Sequence, residues 1–432
     1  MSLRTPEKLR TLQRKLYTKA NQEPEFRFYS LIDKVCSKQA LGHAWRLVRE
    51  NGGSPGVDGV TIAQVEEVGV KGWLEKIEQE LGDETYAAQP VRRVTIPKAS
   101  GGQRQLGIPT VKDRVVQTAM KLVIEPIFEA DLEDEAHGYR PERSAKDAIE
   151  KVHRQLQKGR TDVVDADLSS YFDTIPHDQL LKSVRRRISD GRILELIKMW
   201  LEAPVVEEDE DGRRRGHSNA GKGTPQGGVI SPLLANIYIN RFLKFWNRQQ
   251  LDRKLNSRIV NYADDFVILT RGHAEEALKV TRGVMDAMGL KLNERKTQLR
   301  DVNQEPLEFL GYEFSWDVYK PTGRRYISAR PAPSRMARMK QKVKTWLGQH
   351  IHSRWEFVVY KLNQMLRGWA NYFSYGSVTK AYRKMDHYVY ERAVATLVRK
   401  HGREGQGKGQ WSQGALYGRK GLKRLKELAP GT

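Results

Sequence analysis

Apolar residues recur at helical spacing in several segments of the chain. Residues 28–50 place Leu31, Val35, Trp45 and Val48 on one face of a predicted helix. The same spacing predicts further helices over residues 70–81, 111–125, 146–159, 229–246 and 275–290. The helix that starts at residue 111 is expected to end before Pro126, because proline interrupts helices.

Short apolar runs of strand type lie between these helices. Residues 91–110 read as two strands around the turn ASGG, and residues 162–172 read as a buried strand that runs into a turn. Residues 307–316 read as one further strand. Helices and short strands alternate without a regular βαβ repeat, which predicts an α+β fold.

The pattern changes from about residue 333. Three basic amphipathic helices follow one another, and the last 30 residues are rich in glycine and basic, so we expect them to order only on binding. The sequence therefore predicts four segments: a basic N-terminal arm (1–27), an α+β body (28–320), a helical region (321–400) and a basic Gly-rich tail (401–432).

The net charge of +22 makes nucleic acid the first candidate partner. Residues 318–432 contain 25 Lys and Arg against 5 Asp and Glu, whereas residues 1–317 contain 50 against 48. A nearly neutral body therefore precedes a strongly basic C-terminal quarter. A solvated tail would have the same charge, but the interleaved aromatic residues favour a nucleic-acid surface.

Other features exclude some protein classes. No run of 18 apolar residues predicts a membrane span, and the basic N-terminus lacks the apolar core of a secretory signal. The single cysteine, Cys36, excludes an intramolecular disulfide framework and zinc sites built on cysteine pairs. We therefore expect a protein of the cell interior.

Two adjacent carboxylates, Asp264 and Asp265, stand at the centre of the strand-like run NYADDFVIL. Asp167 ends a second apolar run, VVDADL, in the same way. Three converging carboxylates would repel one another unless a divalent cation bound them, and hard oxygen ligands favour Mg²⁺. Two such ions can clamp the oxygens of an in-line phosphoryl displacement. Taken alone, an Asp-Asp pair is more often a solvated turn.

Other motifs in the chain make a solvated turn a less favoured interpretation of Asp264 and Asp265. These motifs form an ordered series that spans residues 30–400. The series resembles the group II intron-encoded reverse transcriptase/maturases, in a compact form without the C-terminal nuclease domain. The motifs are LIDKVCSKQALGHAWRLVRENGGSPGVDGVT, VRRVTIPKASGGQRQLGIPTVKDRVVQTA, AHGYRPERSAKDAI, DVVDADLSSYFDTIPHDQLL, GTPQGGVISPLLANIYIN, NYADDFVIL, GLKLNERKTQ, LEFLGYEF and LRGWANYF.

The resemblance implies a catalytic centre that holds two Mg²⁺ ions, with Mn²⁺ able to substitute. Asp167, Asp264 and Asp265 match the catalytic aspartates, and the backbone carbonyl of Leu168 would complete the metal ligands. Phe172 matches the ring that excludes a 2′-OH from the nucleotide site; Tyr171, next to it, is the alternative if the match is off by one position. Residues implied to bind the incoming dNTP are Lys98, Arg104 and Gln226, with Arg92 and Lys296 as weaker candidates.

The resemblance also implies a right-hand polymerase fold. Residues 28–320 would form the fingers and palm with an antiparallel sheet, including an N-terminal extension, and residues 321–400 the helical thumb/maturase domain. The expected partners are an intron RNA template, a DNA primer or target and dNTPs, in a bacterial or archaeal cell interior near the nucleoid. The residues implied to bind RNA are Arg335, Arg338, Lys342, Arg367 and Tyr372. Trp369 and Phe373 are expected in the helical core.

Two alternatives stay open: a reverse transcriptase of another lineage, and a domesticated RNA-binding splicing factor. The LRGWANYF segment and the lack of a fused adaptation domain favour the intron type, and the intact aspartates argue against splicing as the sole role. No cysteine follows Cys36, so we do not expect a nuclease domain with Cys-pair metal ligands. Without that domain, cleavage of the second DNA strand is not expected either. Such a protein would prime from an existing DNA end. The oligomeric state is left open.

Overall fold

A computed structural model describes residues 4–97, 103–208, 214–217, 221–225, 227–401 and 411–430. The chain forms two compact units. Unit 1 comprises Met1–Arg143, Asp165–Phe266 and Glu275–Gln298, and unit 2 comprises Ser144–Val164, Val267–Ala274 and Leu299–Thr432. No helix among the described residues is long and apolar enough to cross a membrane.

The helices agree with the periodicity over most of the chain. In chain order they are α1 (Glu7–Gln22), α2 (Ile32–Val35), α3 (Lys38–Asn51), α4 (Ile62–Val68), α5 (Val70–Gly82), α6 (Val111–Glu129), α7 (Ala145–Gln157), α8 (Tyr171–Thr174), α9 (His177–Arg185), α10 (Gly191–Glu202), α11 (Ser231–Arg248), α12 (Leu251–Lys254), α13 (Ala274–Ala287), α14 (Pro333–Gln349), α15 (Trp355–Tyr372), α16 (Thr379–His401) and α17 (Leu425–Leu428), with a π-helical turn at Ala415–Arg419.

The strands form three small, mostly antiparallel sheets, which confirms the α+β prediction. They are β1 (Val91–Pro97), β2 (Gln103–Ile108), β3 (Asp162–Asp167), β4 (Val205–Glu208), β5 (Arg214–His217), β6 (Arg258–Tyr262), β7 (Asp265–Thr270), β8 (Gln298–Asp301), β9 (Leu307–Phe309), β10 (Tyr312–Tyr319) and β11 (Arg324–Pro331). The sheet orders are β2–β1–β4–β5, β6–β7–β3–β8 and β11–β10–β9. A short β1–β4 pairing is parallel.

Helix α6 lies at the centre of unit 1 and packs against α1, α2, α3 and α11. It does not end before Pro126, so that prediction was wrong. Pro126 lacks the N–H that would donate to the carbonyl of Leu122, but Gln13 of α1 donates its Nε2 to that oxygen at 2.9 Å. Burial of Ile127 and Phe128 in the core then stabilises the last turn. The N-terminal segment is thus part of the fold.

Replacing Gln13 by Ala is expected to lower the free energy of unfolding by about 1–2 kcal/mol, because the Leu122 carbonyl loses its partner. In a Pro126→Ala background the loss should shrink, since the new amide can donate to the same oxygen. Urea unfolding of the four proteins in this double-mutant cycle measures the coupling. Equal losses in both backgrounds would contradict the assigned role of Gln13.

The segment at 307–316 is a tight hairpin of β9 and β10, not the single strand expected. Leu310 and Gly311 form its turn with φ values of 49° and 79°. Two successive positive φ angles fit a two-residue hairpin turn, and leucine at the first position hides the usual signal. Tyr372 donates its hydroxyl to the Leu310 carbonyl at 2.7 Å, which ties α15 to this turn.

The core of unit 2 consists of α14, α15 and α16 together with the C-terminal segment. Trp411, Leu416, Leu422, Leu425 and Leu428 are buried in this core. The described part of the expected tail, residues 411–430, therefore packs on these helices and contributes to their core. Apolar residues spaced among glycines and cations were too sparse to be recognised as core positions.

Candidate active site

Asp167 is the last residue of β3, and the segment after α13 holds it in place. Asn293 donates its backbone N–H to the Asp167 carbonyl at 2.8 Å and its Nδ2 to Oδ2 at 3.1 Å. The Lys296 ammonium lies 3.2 and 3.1 Å from the two carboxylate oxygens. Next along the chain, Leu168 is buried and forms an isolated antiparallel bridge with Leu292. The exit of β3 is thus fixed by backbone pairing and by charge.

The β6–β7 hairpin places Asp264 and Asp265 at its turn. Ala263 there has a φ of 60°, a left-handed conformation that costs a non-glycine residue about 1–2 kcal/mol. Asn261 stabilises it by donating Nδ2 to the Ala263 carbonyl at 2.8 Å. Behind the turn, a Cβ on Gly138 would lie 2.5 Å from the Ala263 nitrogen. Only glycine at 138 allows this close approach.

Gly138→Ala is therefore expected to lower the free energy of unfolding by about 1–3 kcal/mol, because the added methyl group must displace the Ala263 backbone. Gly283→Ala is the matched control, since a Cβ at Gly283 in α13 meets nothing within 4 Å. That control should be neutral or stabilising, because alanine is the better helix former. Chemical unfolding of both variants tests the pair. Equal effects would refute the tight approach.

The three aspartates share one electrostatic environment. The pKa of Asp265 is raised to about 6, first by desolvation and then by the charges of Asp264, Asp167 and Asp165. Lys296 opposes this shift. Asp265 keeps access to solvent, so desolvation by the surrounding protein is only partial. The charges of Asp264 and Asp167, two of the carboxylates that the sequence predicted to converge, thus act on Asp265.

This donor set fits a hard divalent cation. All of its ligands are oxygens, and a cation would relieve the repulsion that raises the pKa of Asp265. Within the described ranges, no three His, Cys, Asp or Glu side chains form a ready-made metal cluster. Asp167 instead has the Lys296 ammonium as its cation.

Phe172 lies in the short helix α8, directly after the turn that follows Asp167. It is 7% exposed, and its ring packs edge-on against that of Tyr139 with centroids 6.2 Å apart. Tyr139 is 46% exposed, so Phe172 lies just beneath the surface. Tyr171 is committed to the interior, since its hydroxyl donates to the Ala235 carbonyl at 2.6 Å. Of the two rings, Tyr171 and Phe172, it is Phe172 that packs against the exposed ring of Tyr139.

The loop between β5 and α11 comes very close to β2. A Cβ on Gly227, whose φ is 111°, would lie 2.2 Å from the Gly107 carbonyl oxygen. The glycine therefore permits backbone-to-backbone approach at this point.

Three residues predicted to bind the dNTP, Lys98, Arg104 and Gln226, lie wholly or partly outside the described residues. Lys98 and Gln226 lie outside the described residues. Arg104 pairs with Ile96 in the β1–β2 hairpin, and its side chain is outside the description. Arg92, the weaker candidate, is occupied, because its guanidinium donates to the Pro55 carbonyl at 2.8 and 3.1 Å.

The residues predicted to bind RNA lie on two helices of unit 2. Each is exposed: Arg335, Arg338 and Lys342 on α14, and Arg367 and Tyr372 on α15. Arg335 lies over Gly311, where a Cβ would meet its Nε at 2.8 Å. Phe373 is buried and Trp369 packs against the same core, as expected.

Sequence reasoning missed Asn293, Asp165 and Tyr139. Asp165 stands two positions before Asp167 in β3, so strand alternation could have indicated that the two share a face. Asn293 and Tyr139 carried no such signal. Each reaches the site through a contact that is distant in sequence.

Comparison with known families agrees with this geometry. Residues 96–314 match the family described as "Reverse transcriptase (RNA-dependent DNA polymerase)". Residues 336–414 match the "Group II intron, maturase-specific domain".

Curated relatives are similar over much of the chain. Protein YkfC of Escherichia coli (strain K12) is 37% identical over 340 residues, which cover 70% of this chain and 87% of YkfC. The group II intron-encoded protein LtrA of Lactococcus lactis subsp. cremoris is 31% identical over 56% of this chain and 49% of LtrA. The COX1/OXI3 intron 1 protein of Saccharomyces cerevisiae is 26% identical over 76% of this chain and 48% of its own length. The chain spans about half the length of the last two.

Proposed function

Because the chain belongs to the reverse transcriptase family and carries a group II intron maturase-specific domain, we propose that it copies RNA into DNA and assists the splicing and mobility of a group II intron RNA. The observation that carries the proposal is the electrostatic coupling of Asp265 to Asp264 and Asp167 at the ends of neighbouring strands. The proposed partners are intron RNA as template, a DNA primer or target, and dNTPs. We place the protein in the cell interior, close to the nucleoid.

The family uses divalent metal ions, and we infer two Mg²⁺ ions, replaceable by Mn²⁺. Asp167, Asp264, Asp265 and the carbonyl of Leu168 would hold them, since these are hard oxygen ligands. Ions held by these residues would supply Lewis-acid chemistry that favours attack by the primer 3′-OH and departure of pyrophosphate. Asn293 and Lys296 hold the Asp167 carboxylate in place.

Other residues of unit 1 would bind the nucleotide. Phe172, backed by Tyr139, supplies a ring that would clash with a 2′-OH and so select dNTPs. Lys98 and Arg104 flank the β1–β2 turn, where two cations suit a triphosphate. Gln226 follows Pro225 in the loop that approaches β2, which suits a residue beside the incoming base.

Unit 2 would hold RNA through exposed cations. Arg335, Arg338, Lys342 and Arg367 face solvent on helices of a strongly basic segment, as phosphate contacts require. Tyr372 is a weaker candidate, because its hydroxyl is already bonded to Leu310. We assign residues 28–320 to fingers and palm and 321–400 to the thumb and maturase region, and the packing of residues 411–430 on these helices supports including them.

The test is primer extension by the purified protein with an RNA template, an annealed DNA primer, dNTPs and Mg²⁺. Extension should depend on the template, on the divalent ion and on the annealed primer. The same protein incubated with EDTA is the control. Tight RNA binding without any extension, over a range of salt and with either Mg²⁺ or Mn²⁺, would refute the polymerase proposal.

A further inference from the structure

The β10–β11 hairpin of unit 2 has a buried base and an exposed tip. At the base, Tyr312, Phe314 and Ala329 are fully buried. Toward the tip the same strands expose large apolar side chains: Trp316 is 37% exposed, and Val318 and Tyr319 are 47% and 55% exposed. We call residues 316–326 the hairpin tip. Exposed aromatic residues at the end of a hairpin cost solubility and indicate a binding surface.

The Trp316 ring is held rigidly from two sides. The pairing register puts Trp316, Val318 and Arg325 on one face, and the Arg325 guanidinium lies 4.9 Å from the centre of the Trp316 ring. Trp316 also donates Nε1 to Asn303 Oδ1 at 3.1 Å. Asn303 is itself fixed, since its Nδ2 donates to Thr161 Oγ1 at 2.8 Å. The Trp316 ring and the Arg325 guanidinium are therefore held by contacts within the protein.

The charge of the hairpin tip is positive. Lys320, Arg324 and Arg325 are all exposed. Asp317 is the one acidic residue of the tip, and the Lys380 ammonium neutralises it at 3.2 Å. On the opposite face the hairpin borders a cavity of about 920 Å³ that is also lined by Lys340 and Lys384. A polyanion can therefore approach the tip without meeting a free carboxylate of the hairpin.

Aromatic rings interleaved with cations are the means by which proteins bind single strands, because every unpaired base has a face that stacks. A guanidinium held over an indole ring at 4.9 Å forms with it an exposed pair of flat groups against which such a base can stack. An acidic protein segment would be drawn to the cations but would leave the ordered stack unused. The combination therefore favours an unpaired nucleic-acid strand.

We propose that the hairpin tip is a binding site for single-stranded RNA, in which one unpaired base stacks on the Arg325–Trp316 pair while Lys320 and Arg324 contact phosphates. The choice of RNA as the strand rests on the proposed function. The strand comes either from the single-stranded part of a copied template or from an unpaired segment of intron RNA. Both sources present the same chemistry.

The test is fluorescence anisotropy of the full chain with a labelled oligouridine and with a blunt RNA duplex, over a range of KCl concentrations. Trp316→Ala should weaken oligouridine binding about tenfold and leave duplex binding unchanged. Trp316→Phe, which keeps a ring, should recover most of the affinity. Lys320→Ala with Arg324→Ala should lower the salt slope by about 1.4, since each phosphate contact on a single strand contributes about 0.7.

Arg253→Ala with Lys254→Ala is the charge-matched control, since both residues are exposed and lie in α12 of unit 1. It should leave the affinity for oligouridine within about twofold. Unchanged oligouridine binding in the Trp316→Ala protein, or equal losses with the duplex, overturns the proposal. Thermal unfolding confirms that each variant is folded before binding is compared.

A second pair of ligands identifies the source of the strand: a primed template with a 5′ RNA overhang, and the same duplex with blunt ends. A Trp316→Ala defect that requires the overhang assigns the site to the template, and a defect seen only with unprimed RNA assigns it to intron RNA. Primer extension is scored separately. If the protein never extends primers but its RNA binding depends on Trp316, the binding site is supported and the polymerase proposal is refuted.

Discussion

Asp265→Asn is expected to lower the rate of primer extension by about a thousandfold or more, while RNA affinity stays within about twofold. If Asp265 holds a metal ion as proposed, loss of its charge would remove several kcal/mol of stabilisation from the transition state of phosphoryl transfer. The substitution keeps the shape of the side chain, so the β6–β7 turn should persist. Single-turnover extension and RNA anisotropy measure the two quantities. Asp178→Asn, at an exposed position in α9, is the control.

The same variant should be more stable than the wild type in the absence of divalent ions at neutral pH. The pKa of Asp265 is raised to about 6 in the folded state, from an ordinary value of 3.8. Asp265 therefore keeps its proton to a higher pH in the folded state than in the unfolded state. The stability of the folded state falls as pH rises from about 4 to about 6. Asp265→Asn removes that loss, so its melting temperature should exceed that of the wild type at pH 7 but not at pH 4. Identical melting temperatures at both values would contradict the raised pKa.

Phe172→Ala is expected to change the preference for dNTP over rNTP by about a hundredfold, because a 2′-OH would then fit where the ring stood. The ring is nearly buried beneath the exposed Tyr139, so its removal opens space at the surface. Competition between a dNTP and the matching rNTP measures the ratio. An unchanged ratio would remove Phe172 from the sugar site.

Tyr171→Phe is the matched control for this prediction. It removes only the hydroxyl that donates to Ala235, so it should cost about 1 kcal/mol of stability and leave the sugar preference as it was. If Tyr171→Phe altered the preference instead, the family match would be off by one position.

The aspartates, the α+β class and the basic helices could be predicted from sequence because each depends on local pattern or on a motif of fixed spacing. The continuation of α6 through Pro126 could not, because it depends on Gln13, more than a hundred positions earlier. The Leu310–Gly311 turn was hidden for a local reason, since leucine rarely takes a positive φ.

The candidate site likewise contains residues that could be recognised from the sequence and residues that could not. Asp264 and Asp265 are adjacent in sequence and could be recognised together. Asn293 and Gly138 act on Asp167 and Ala263 only through tertiary contacts, so their roles appear only once the backbone is placed. The sequence could therefore indicate the candidate carboxylates, but it could not indicate the residues that hold them in place.

The bond from Gln13 to the Leu122 carbonyl affects how deletion experiments on this protein should be interpreted. Removing α1 would take away the partner of that carbonyl and would uncover the apolar surface against which Leu9, Leu16 and Ala20 are buried. A loss of RNA binding in such a protein would then follow from damage to the core of unit 1, and it would be mistaken for the loss of a basic RNA-binding arm. Charge-reversing substitutions at exposed positions of α1, such as Lys8 and Arg10, separate the two explanations because they leave the helix in place.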